Sequence, residues 1–415
     1  MQAHAFRQLM TGKNIYQLCF VLLSIALASS LVVEALPRKI FYFSSYLVAL
    51  YLVILTVKKQ WLKDKTAITV ALPLLFIGLV RLIWAKMFSH AEFSDVVNNY
   101  FQGGKLFIIA AFLSYFIIAW RHYLSRPLLI TCSAILFVGL LVTLGFAISE
   151  HAKTLTRIRL LTDSAGTVSY LITALALCTL YTGHRVITHR GGQMVLFSAV
   201  FVVNMMLMIL TESRAGVLTL PLIYLAWFYF THRWAGKISL VVLALFIIVG
   251  ALFMPGSVWQ RLDSIHNEVD TYQTNNNTSI GARFSIWKGG WHSVSWSLLG
   301  QSPDQRTAKA REYITQHERH NPEAYKNVMY HLHDDFLETL SLQGIAGALS
   351  LLIFYLVLLI LAARRGVAGL TLLPLSIIIF GLTDTVLIQS GSVLILVMAI
   401  IISYAMIHPP EKALS

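Results

Sequence analysis

The sequence predicts an all-α polytopic membrane protein with about twelve transmembrane helices and one long outer loop that contains helices of its own. Two features of its composition support this fold class. Of the 415 residues, 57% are hydrophobic and only 12% are charged, and the mean hydropathy is +0.70. A soluble domain carries about twice that charged fraction. The third observation is that apolar runs recur along the chain, each close to the roughly 17–25 residues that a helical span needs.

The predicted spans divide the chain into three regions. Residues 1–254 hold the first nine spans, residues 255–335 form the long outer loop, and residues 336–415 hold the last three spans and a short tail. The apolar runs cover residues 15–33, 41–57, 66–84, 106–120, 128–149, 165–183, 194–211, 216–230, 238–254, 336–363, 370–389 and 393–407.

The distribution of basic residues orients these spans. With both termini cytoplasmic, the inner segments hold 15 of the 32 Lys and Arg but only two of the 19 acids, so the whole net charge of +13 lies on that side. The positive-inside rule requires such an asymmetry. The basic balance therefore reports topology in a membrane, and it does not indicate binding of nucleic acid.

The long outer loop changes composition halfway along. Its first half contains "NNNTSIGARFSIWKGGWHSVSW", which predicts an amphipathic helix at the membrane interface, anchored by Trp287, Trp291 and Trp296 at the level of the lipid headgroups. The second half is very polar. It predicts a solvated helix with Pro322 near its end.

Two arginines on the predicted outer side are candidate anion ligands. Arg214, in "TESRAGVL", follows the predicted cap residue Ser213 at the start of a helix, and a helix N-terminus beside a guanidinium suits a phosphate or pyrophosphate. Snorkelling to headgroups or pairing with Glu212 explains Arg214 equally well. Arg283 shares a helix face with Trp287, and spacing alone favours an interfacial Arg–Trp stack over a ligand role.

The stretch "YHLHDDFLETLSLQGIAG", residues 330–347, marks the entry of the loop into the tenth span. On a helix, His331 and His333 would point about 200° apart and would not form one chelating face, whereas on an extended segment they could share a face. The remaining ligands of a zinc site are not evident either, since Cys19, Cys132 and Cys178 lie in apolar runs. We therefore predict no metal, and we interpret His333 as a general base, because a neutral imidazole accepts a proton near neutral pH and Asp334, Asp335 or Asp384 could fix its tautomer.

Helix phase extends this interpretation of His333. Gly344 lies about three helical turns beyond it on the same face, and Gly344 and Gly347 would let another helix approach closely beneath the histidine. Acids are favoured near a helix N-terminus. His331, Asp334 and Asp335 are therefore interpreted as the cap of this helix and its local field.

Two further charges lie at the outer ends of predicted spans. Asp384, between Thr383 and Thr385, could orient His333 or pair with an arginine, and its burial without such a partner would be costly. Arg81 is a weaker candidate for a supporting role, because snorkelling explains it well.

The arginine motifs resemble elements of the O-antigen ligases of Gram-negative bacteria. Arg214 and Leu218 in "TESRAGVL" are similar to the Arg-x-x-x-Leu element of that family. Arg283 and Trp287 in "RFSIW" are similar to its Arg-x-x-x-Trp element. The twelve-span layout, with the long loop between spans nine and ten, is also similar.

The histidine motif carries the same resemblance. "HDDFLETLSLQGIAG" is similar to an element in which a histidine and the residue after it precede nine further residues and Gly-x-x-Gly, here His333, Gly344 and Gly347. Asp334 departs from the family pattern, because Asn, Ser or Gln usually follows the histidine. This departure makes the local field of His333 more acidic.

The resemblance implies an enzyme of the bacterial inner membrane that moves an O-polysaccharide from undecaprenyl pyrophosphate onto a sugar hydroxyl of the lipid A–core. The reaction would take place at the periplasmic side, without a metal or a nucleotide. Arg214 and Arg283 would bind the pyrophosphate and stabilise its charge as it leaves. His333 would take the proton of the acceptor hydroxyl for direct displacement with inversion, and Asp384 would support one of these groups.

Two alternatives remain open at the level of the sequence. An O-antigen polymerase would share the lipid-linked donor, although the His–Gly element and the single long outer loop favour a ligase. A lipid-linked glycan transporter would predict an internal repeat and charges at mid-membrane. The charges here cluster instead at one predicted side of the membrane.

Overall fold

The computed structural model of the protein describes residues 11–231, 256–319, 321–365 and 367–407, together with positions 241, 244 and 248. Within these ranges the chain forms α-helices and short 3₁₀ turns, without a strand. The helices before the long loop are α1 Gly12–Ser29, α2 Leu36–Val57, α3 Lys65–Met87, α4 Ser94–Ala119, α5 Arg126–Thr154, α6 Ala165–Val186, α7 Arg190–Thr211 and α8 Arg214–Thr231. The described helices after them are α9 Gly256–Asp270, α10 Ser279–His292, α11 Pro303–His317, α12 Pro322–Asn327, α13 Asp335–Arg364, α14 Ala368–Gly381 and α15 Ser390–Tyr404.

Nine of the described helices, α1 to α8 and α13, are long and apolar enough to cross a membrane, and α14 and α15 are shorter apolar helices. The predicted ninth span, residues 238–254, falls largely outside the described residues. The prediction of an all-α polytopic membrane protein is confirmed.

Helix α6 lies at the centre of the bundle, and almost its whole length is buried. It packs against α5, α7, α14 and α15. Its sequence, "AGTVSYLITALALCTLYTGHRV", is rich in Ala, Gly, Ser and Thr. Such small side chains let helix backbones approach closely, and close packing holds helices together in a bilayer, where the hydrophobic effect does not drive their association. The N-terminal end of α6 is thereby held at the centre of one face of the bundle.

The long loop covers that face, which we call the loop side. The carboxylate of Asp304 accepts the backbone N–H groups of Glu92 and Phe93, and the indole of Trp84 donates to the carbonyl of Gln301 at 3.1 Å. These contacts tie the loop to the ends of α3 and α4. Segments that the charge pattern assigned to the outside therefore meet on the loop side.

The helices of the loop differ from the prediction in two respects. Helix α9 was not predicted, and Pro322 begins α12 instead of lying near the end of a single solvated helix. A proline is well tolerated at the first helical position, where its missing N–H is not needed. Trp291 and Trp296 are 53% and 65% exposed, as interfacial anchors would be.

Helix α13 is broken at Gly344, and the helix-phase argument is therefore wrong. Gly344 has φ of 65° and ψ of −155°, while His333 precedes the helix with φ of 54°. The break lets backbone N–H groups of Ile345 and Ala346 donate to the carbonyls of Ser297 and Leu298 at 3.1 and 3.0 Å. Gly344 thus packs against the loop and not against another helix.

Gly347 follows the break and lies under the first part of α13. A Cβ at this position would lie 2.3 Å from Cβ of Gln343 and 3.0 Å from Cγ2 of Thr339. The side chains nearest to Gly347 belong to α13 itself, and close approach of a second helix at this position stays a prediction.

Replacement of Gly344 by Ala should lower the free energy of unfolding by at least about 2 kcal/mol, because this backbone conformation is essentially restricted to glycine and the added group overpacks the contact. A Cβ there would lie 2.3 Å from the Ser297 carbonyl oxygen. Thermal unfolding in detergent measures the loss. The control is Gly145→Ala in α5, where a Cβ meets nothing within 4 Å, and a melting temperature equal to that of this control would contradict the assignment.

The predicted eleventh span ends early. Helix α14 stops at Gly381, and residues 382–389 form an irregular turn before α15. Within it, the carboxylate of Asp384 accepts the backbone N–H of Thr385, a local bond that competes with helix formation. Irregular backbone is tolerated within a membrane domain where it is buried in protein or lines a polar cavity.

Candidate active site

Two adjoining cavities open on the loop side at the turn that carries Asp384. The first, which we call the arginine cavity, has a volume of about 270 Å³ and is lined by Arg157, Arg214, Arg261 and Arg283. The second, the histidine cavity, has a volume of about 430 Å³ and is lined by His331, His333 and Arg159 among others. Arg157, Arg283 and Asp384 line both cavities. The sequence candidates Arg214, Arg283, His333 and Asp384 thus lie around one continuous cleft.

Arg214 begins α8, and the hydroxyl of Ser213 accepts the N–H of Gly216 at 3.2 Å, so the predicted cap is present. The Arg214 guanidinium donates to Glu268 at 2.7 Å and to Ser264 at 2.6 Å, both on α9. Pairing with Glu212 was the alternative to a ligand role, and it is not observed, because Glu212 pairs with Arg261 instead. Helix α9 therefore holds Arg214 at the cavity wall.

Arg283 and Trp287 on α10 serve different neighbours. The indole N–H of Trp287 donates to the backbone carbonyl of His333 at 3.3 Å. The Arg283 side chain forms no hydrogen bond or ion pair with the residues that the structure describes, although its charge acts on His331 and Asp384. The interfacial Arg–Trp stack favoured by spacing alone is not found among the described residues. Arg283 lines the cleft as a cation available to a ligand, and Trp287 positions the backbone of His333.

Arg157 and Arg261 were missed as candidate site residues. Partial burial, and then the neighbouring charges of Arg261 and Arg159, lower the pKa of Arg157. Such crowding of like charges is unfavourable in water and is relieved by an anion. The only sequence signal is the basic "TRIR" of residues 156–159, which a solvated loop would share.

His333 and Asp384 form the acid–base pair that the sequence suggested. Nδ1 of His333 lies 3.4 Å from Oδ1 of Asp384. Burial alone would raise the pKa of Asp384, but the hydrogen bond with His333 and the charges of His331 and Arg283 outweigh it and lower the pKa. The carboxylate is thus ionised and favours the tautomer with hydrogen on Nδ1, which leaves Nε2 as a proton acceptor.

The φ of 54° at His333 places it in the left-handed region, which a residue with a side chain rarely adopts. Strained backbone of this kind is found at functional sites that the surrounding structure enforces. The bond from Trp287 to the His333 carbonyl and the cap that Asp334 forms for α13 hold it, the latter by accepting the N–H of Leu337 at 2.7 Å. The prediction of Asp334 as a helix cap is confirmed.

His331 lies next to the acid–base pair and is not simply part of the cap. Its ring centroid is 4.2 Å from that of His333. Burial, and then the charge of His333, lower the pKa of His331 to about 4, so the ring is neutral near pH 7.

The geometric reason given against a metal is wrong. Neither histidine is helical, and one possible ligand atom from each of His331, His333 and Asp384 lies within 4.8 Å of the others. Three such groups would leave a zinc ion open to a fourth ligand. The positive charges of Arg157, Arg159 and Arg283 on the same cavity oppose a cation.

Arg81 and Asp335 form a clamp behind the turn that carries Asp384. Arg81, only 1% exposed, donates to the carbonyl of Leu387 at 2.6 Å, and its guanidinium lies over the rings of Tyr100 and Phe107. Asp335 accepts the N–H of Leu387 at 3.1 Å. Snorkelling of Arg81 and capping by Asp335 are therefore both wrong, because the two residues bind the buried backbone carbonyl and N–H of Leu387.

The fold and the cleft define a multi-pass membrane protein in which a wall of arginines adjoins a histidine–carboxylate pair. Two comparisons with known proteins agree with the motifs. A family model described as O-antigen ligase matches residues 199–352, which include Arg214, Arg283 and His333. The O-antigen ligase of Escherichia coli (strain K12) is 24% identical over 342 residues, covering 80% of this chain and 79% of that protein. The chain is therefore similar to O-antigen ligases, both in the region that carries these three residues and over most of its length.

Proposed function

We propose that this protein transfers an O-polysaccharide from undecaprenyl pyrophosphate to a sugar hydroxyl of the lipid A–core, at the periplasmic side of the bacterial inner membrane. The observation that carries the proposal is the continuity of the arginine cavity with the His333–Asp384 pair. Such a transfer requires positive charge that stabilises the pyrophosphate as it leaves and a base that accepts the proton of the acceptor hydroxyl. The similarity to O-antigen ligases supports the ligase and transferase class.

The arginine cavity suits a donor that is tethered to lipid. Arg214 offers a guanidinium at the N-terminus of α8, where the helix dipole favours negative charge. Leu218 lies one turn further along the same face, lines the same cavity and is 52% exposed. A pyrophosphate could bind at Arg214 and Arg283 while its polyprenyl chain passes along Leu218 into the bilayer.

The chemistry follows from these positions. The acceptor hydroxyl oxygen attacks the anomeric carbon from the face opposite to the pyrophosphate, and His333 Nε2 takes its proton. The bond from carbon to the pyrophosphate oxygen breaks, and the electron pair leaves with that oxygen. Arg214 and Arg283 stabilise the charge that develops there, and a single displacement inverts the configuration. Asp384 stabilises the imidazolium that forms.

We propose that the reaction proceeds without a metal. The arginines supply the positive charge that a divalent cation supplies to pyrophosphate in other enzymes. They also disfavour a cation beside His331 and His333. A chelator should therefore leave the initial rate of transfer unchanged.

The polymerase alternative is not favoured, because both the family match and the curated relative carry the description of a ligase. The transporter alternative would place its charges at mid-membrane. The charged candidates here lie on the loop side instead.

Expression of the gene in a strain that lacks its own ligase tests the proposal. We expect O-antigen to return to the lipid A–core, which electrophoresis of the lipopolysaccharide shows as a ladder. An altered chain-length distribution without capping of the core would indicate a polymerase. A changed sidedness of the lipid-linked precursor would indicate a transporter, and either result would reject the ligase.

A further inference from the structure

A third cavity adjoins the histidine cavity and shares no lining residue with the arginine cavity. It has a volume of about 390 Å³ and lies between the α1–α2 turn, α4, the start of α6 and the start of α15. Asp163, Thr167 and Gln389 line both this cavity and the histidine cavity. The arginine, histidine and third cavities therefore form a row with His333 in the middle one.

We infer that the third cavity binds the sugar of the acceptor that carries the reacting hydroxyl. This inference rests on the proposed function. Inverting displacement requires the nucleophile to approach the anomeric carbon from the face opposite to the leaving group. With the pyrophosphate on the arginines and the first donor sugar in the histidine cavity, the open space opposite the leaving group is the third cavity.

The walls of the third cavity suit a neutral polyhydroxylated ligand. Carboxylates from Glu34 and Asp163, amides from Asn99 and Gln389, and a guanidinium from Arg38 face it. Carboxylates accept hydrogen bonds from hydroxyl groups, a guanidinium donates to them, and amides do both. Two carboxylates against one guanidinium would repel a pyrophosphate, so this end of the row does not suit the anionic part of the donor.

One hydrogen bond marks the boundary between the third cavity and the histidine cavity. The side-chain amide of Gln389 donates to the carboxylate of Asp163 at 2.7 Å. Gln389 is the last residue of the turn that the Arg81–Asp335 clamp fixes. An acceptor sugar in the third cavity would therefore contact a residue that is held in register with Asp384.

Steady-state transfer by the purified full-length protein in lipid nanodiscs tests the inference, with lipid-linked O-antigen and lipid A–core varied separately. Glu34→Gln replaces one acceptor oxygen of the cavity wall by a donor, and Asn99→Ala removes both a donor and an acceptor. We expect each to raise the KM for lipid A–core about tenfold, the value of one good hydrogen bond, and to leave the KM for the donor unchanged. Glu34 is exposed and Asn99 is half-buried, so neither change disturbs the core.

Two controls accompany these variants. Glu323→Gln makes the same change as Glu34→Gln at an exposed position on α12, outside the three cavities, and should alter neither KM. Arg261→Lys acts on the arginine cavity and should raise the KM for the donor alone. A rise in donor KM for the Glu34 and Asn99 variants would assign the third cavity to the donor glycan and overturn the inference.

Unchanged KM values for both substrates in these variants would overturn it as well, whether or not kcat falls. The proposed function is judged separately, by whether the wild-type protein transfers glycan in the same assay and the Arg283→Ala variant does not.

Discussion

Replacement of His333 by Asn lowers kcat for glycan transfer by about 10²–10⁴-fold, the usual contribution of a general base. Asn is the informative substitution because it tolerates a left-handed backbone better than other residues with a side chain. It therefore keeps the φ of 54° at this position while removing the imidazole that pairs with Asp384. The measurement is the initial rate at saturating donor and acceptor, alongside binding of the lipid-linked donor.

The control for His333 is His317→Asn, the same change at an exposed position on α11 that lines none of the three cavities. Thermal unfolding of both variants should match the wild type, and donor binding should persist in His333→Asn. If that variant retains more than about a tenth of the wild-type rate, His333 is not the general base.

Replacement of Arg283 by Ala lowers kcat by about 10²–10³-fold, the loss seen when one preorganised donor to a developing anion is removed. Arg283 is the arginine of the cleft to expect this from, because it lines both the arginine and the histidine cavities, forms no hydrogen bond or ion pair with the rest of the described chain and, unlike Arg157, is half-buried. Arg214 is shared with Glu268 and Ser264. Arg283→Lys should recover only part of the rate, since an ammonium keeps the charge but lacks the planar fork.

The matched control for Arg283 is Arg126→Ala, an exposed arginine at the start of α5 that lines none of the three cavities. Its rate should equal that of the wild type. Equal rates for Arg283→Ala and Arg126→Ala would exclude Arg283 from stabilisation of the leaving group. Equal rates for Arg283→Lys and the wild type would show that Arg283 acts through its positive charge alone and not through the planar guanidinium.

Hydropathy predicts this fold well because the bilayer imposes one rule on every span, namely that its backbone is satisfied within a helix. The rule ceases to apply where a segment is surrounded by protein. Residues 382–389 are such a segment, and the sequence alone extends the helix through them. The prediction of a continuous helix through Gly344 fails for the same reason. The carbonyls that accept the backbone N–H groups after the break belong to Ser297 and Leu298, in a loop more than 40 residues earlier.

A site residue is predictable from the sequence where few structural roles could explain that residue type at that position. His333, between loop and span, and Asp384, at a span end, are costly to bury without partners, and their proximity was anticipated. Arg81 and Asp335 were misassigned because their partners are the backbone carbonyl and N–H of Leu387, 306 positions beyond Arg81. Because every residue has a backbone carbonyl, the sequence does not show which residue accepts a hydrogen bond of this kind.

The clamp on Leu387 also bears on how the protein is made. Arg81 enters the bilayer with the third helix to be synthesised, yet its hydrogen-bond acceptor is translated 306 residues later. Until then the guanidinium lacks this acceptor at a position where an uncompensated charge is expensive. A chain that ends before Leu387 therefore keeps this guanidinium without its acceptor, and we expect its membrane domain to be less stable than that of the finished chain.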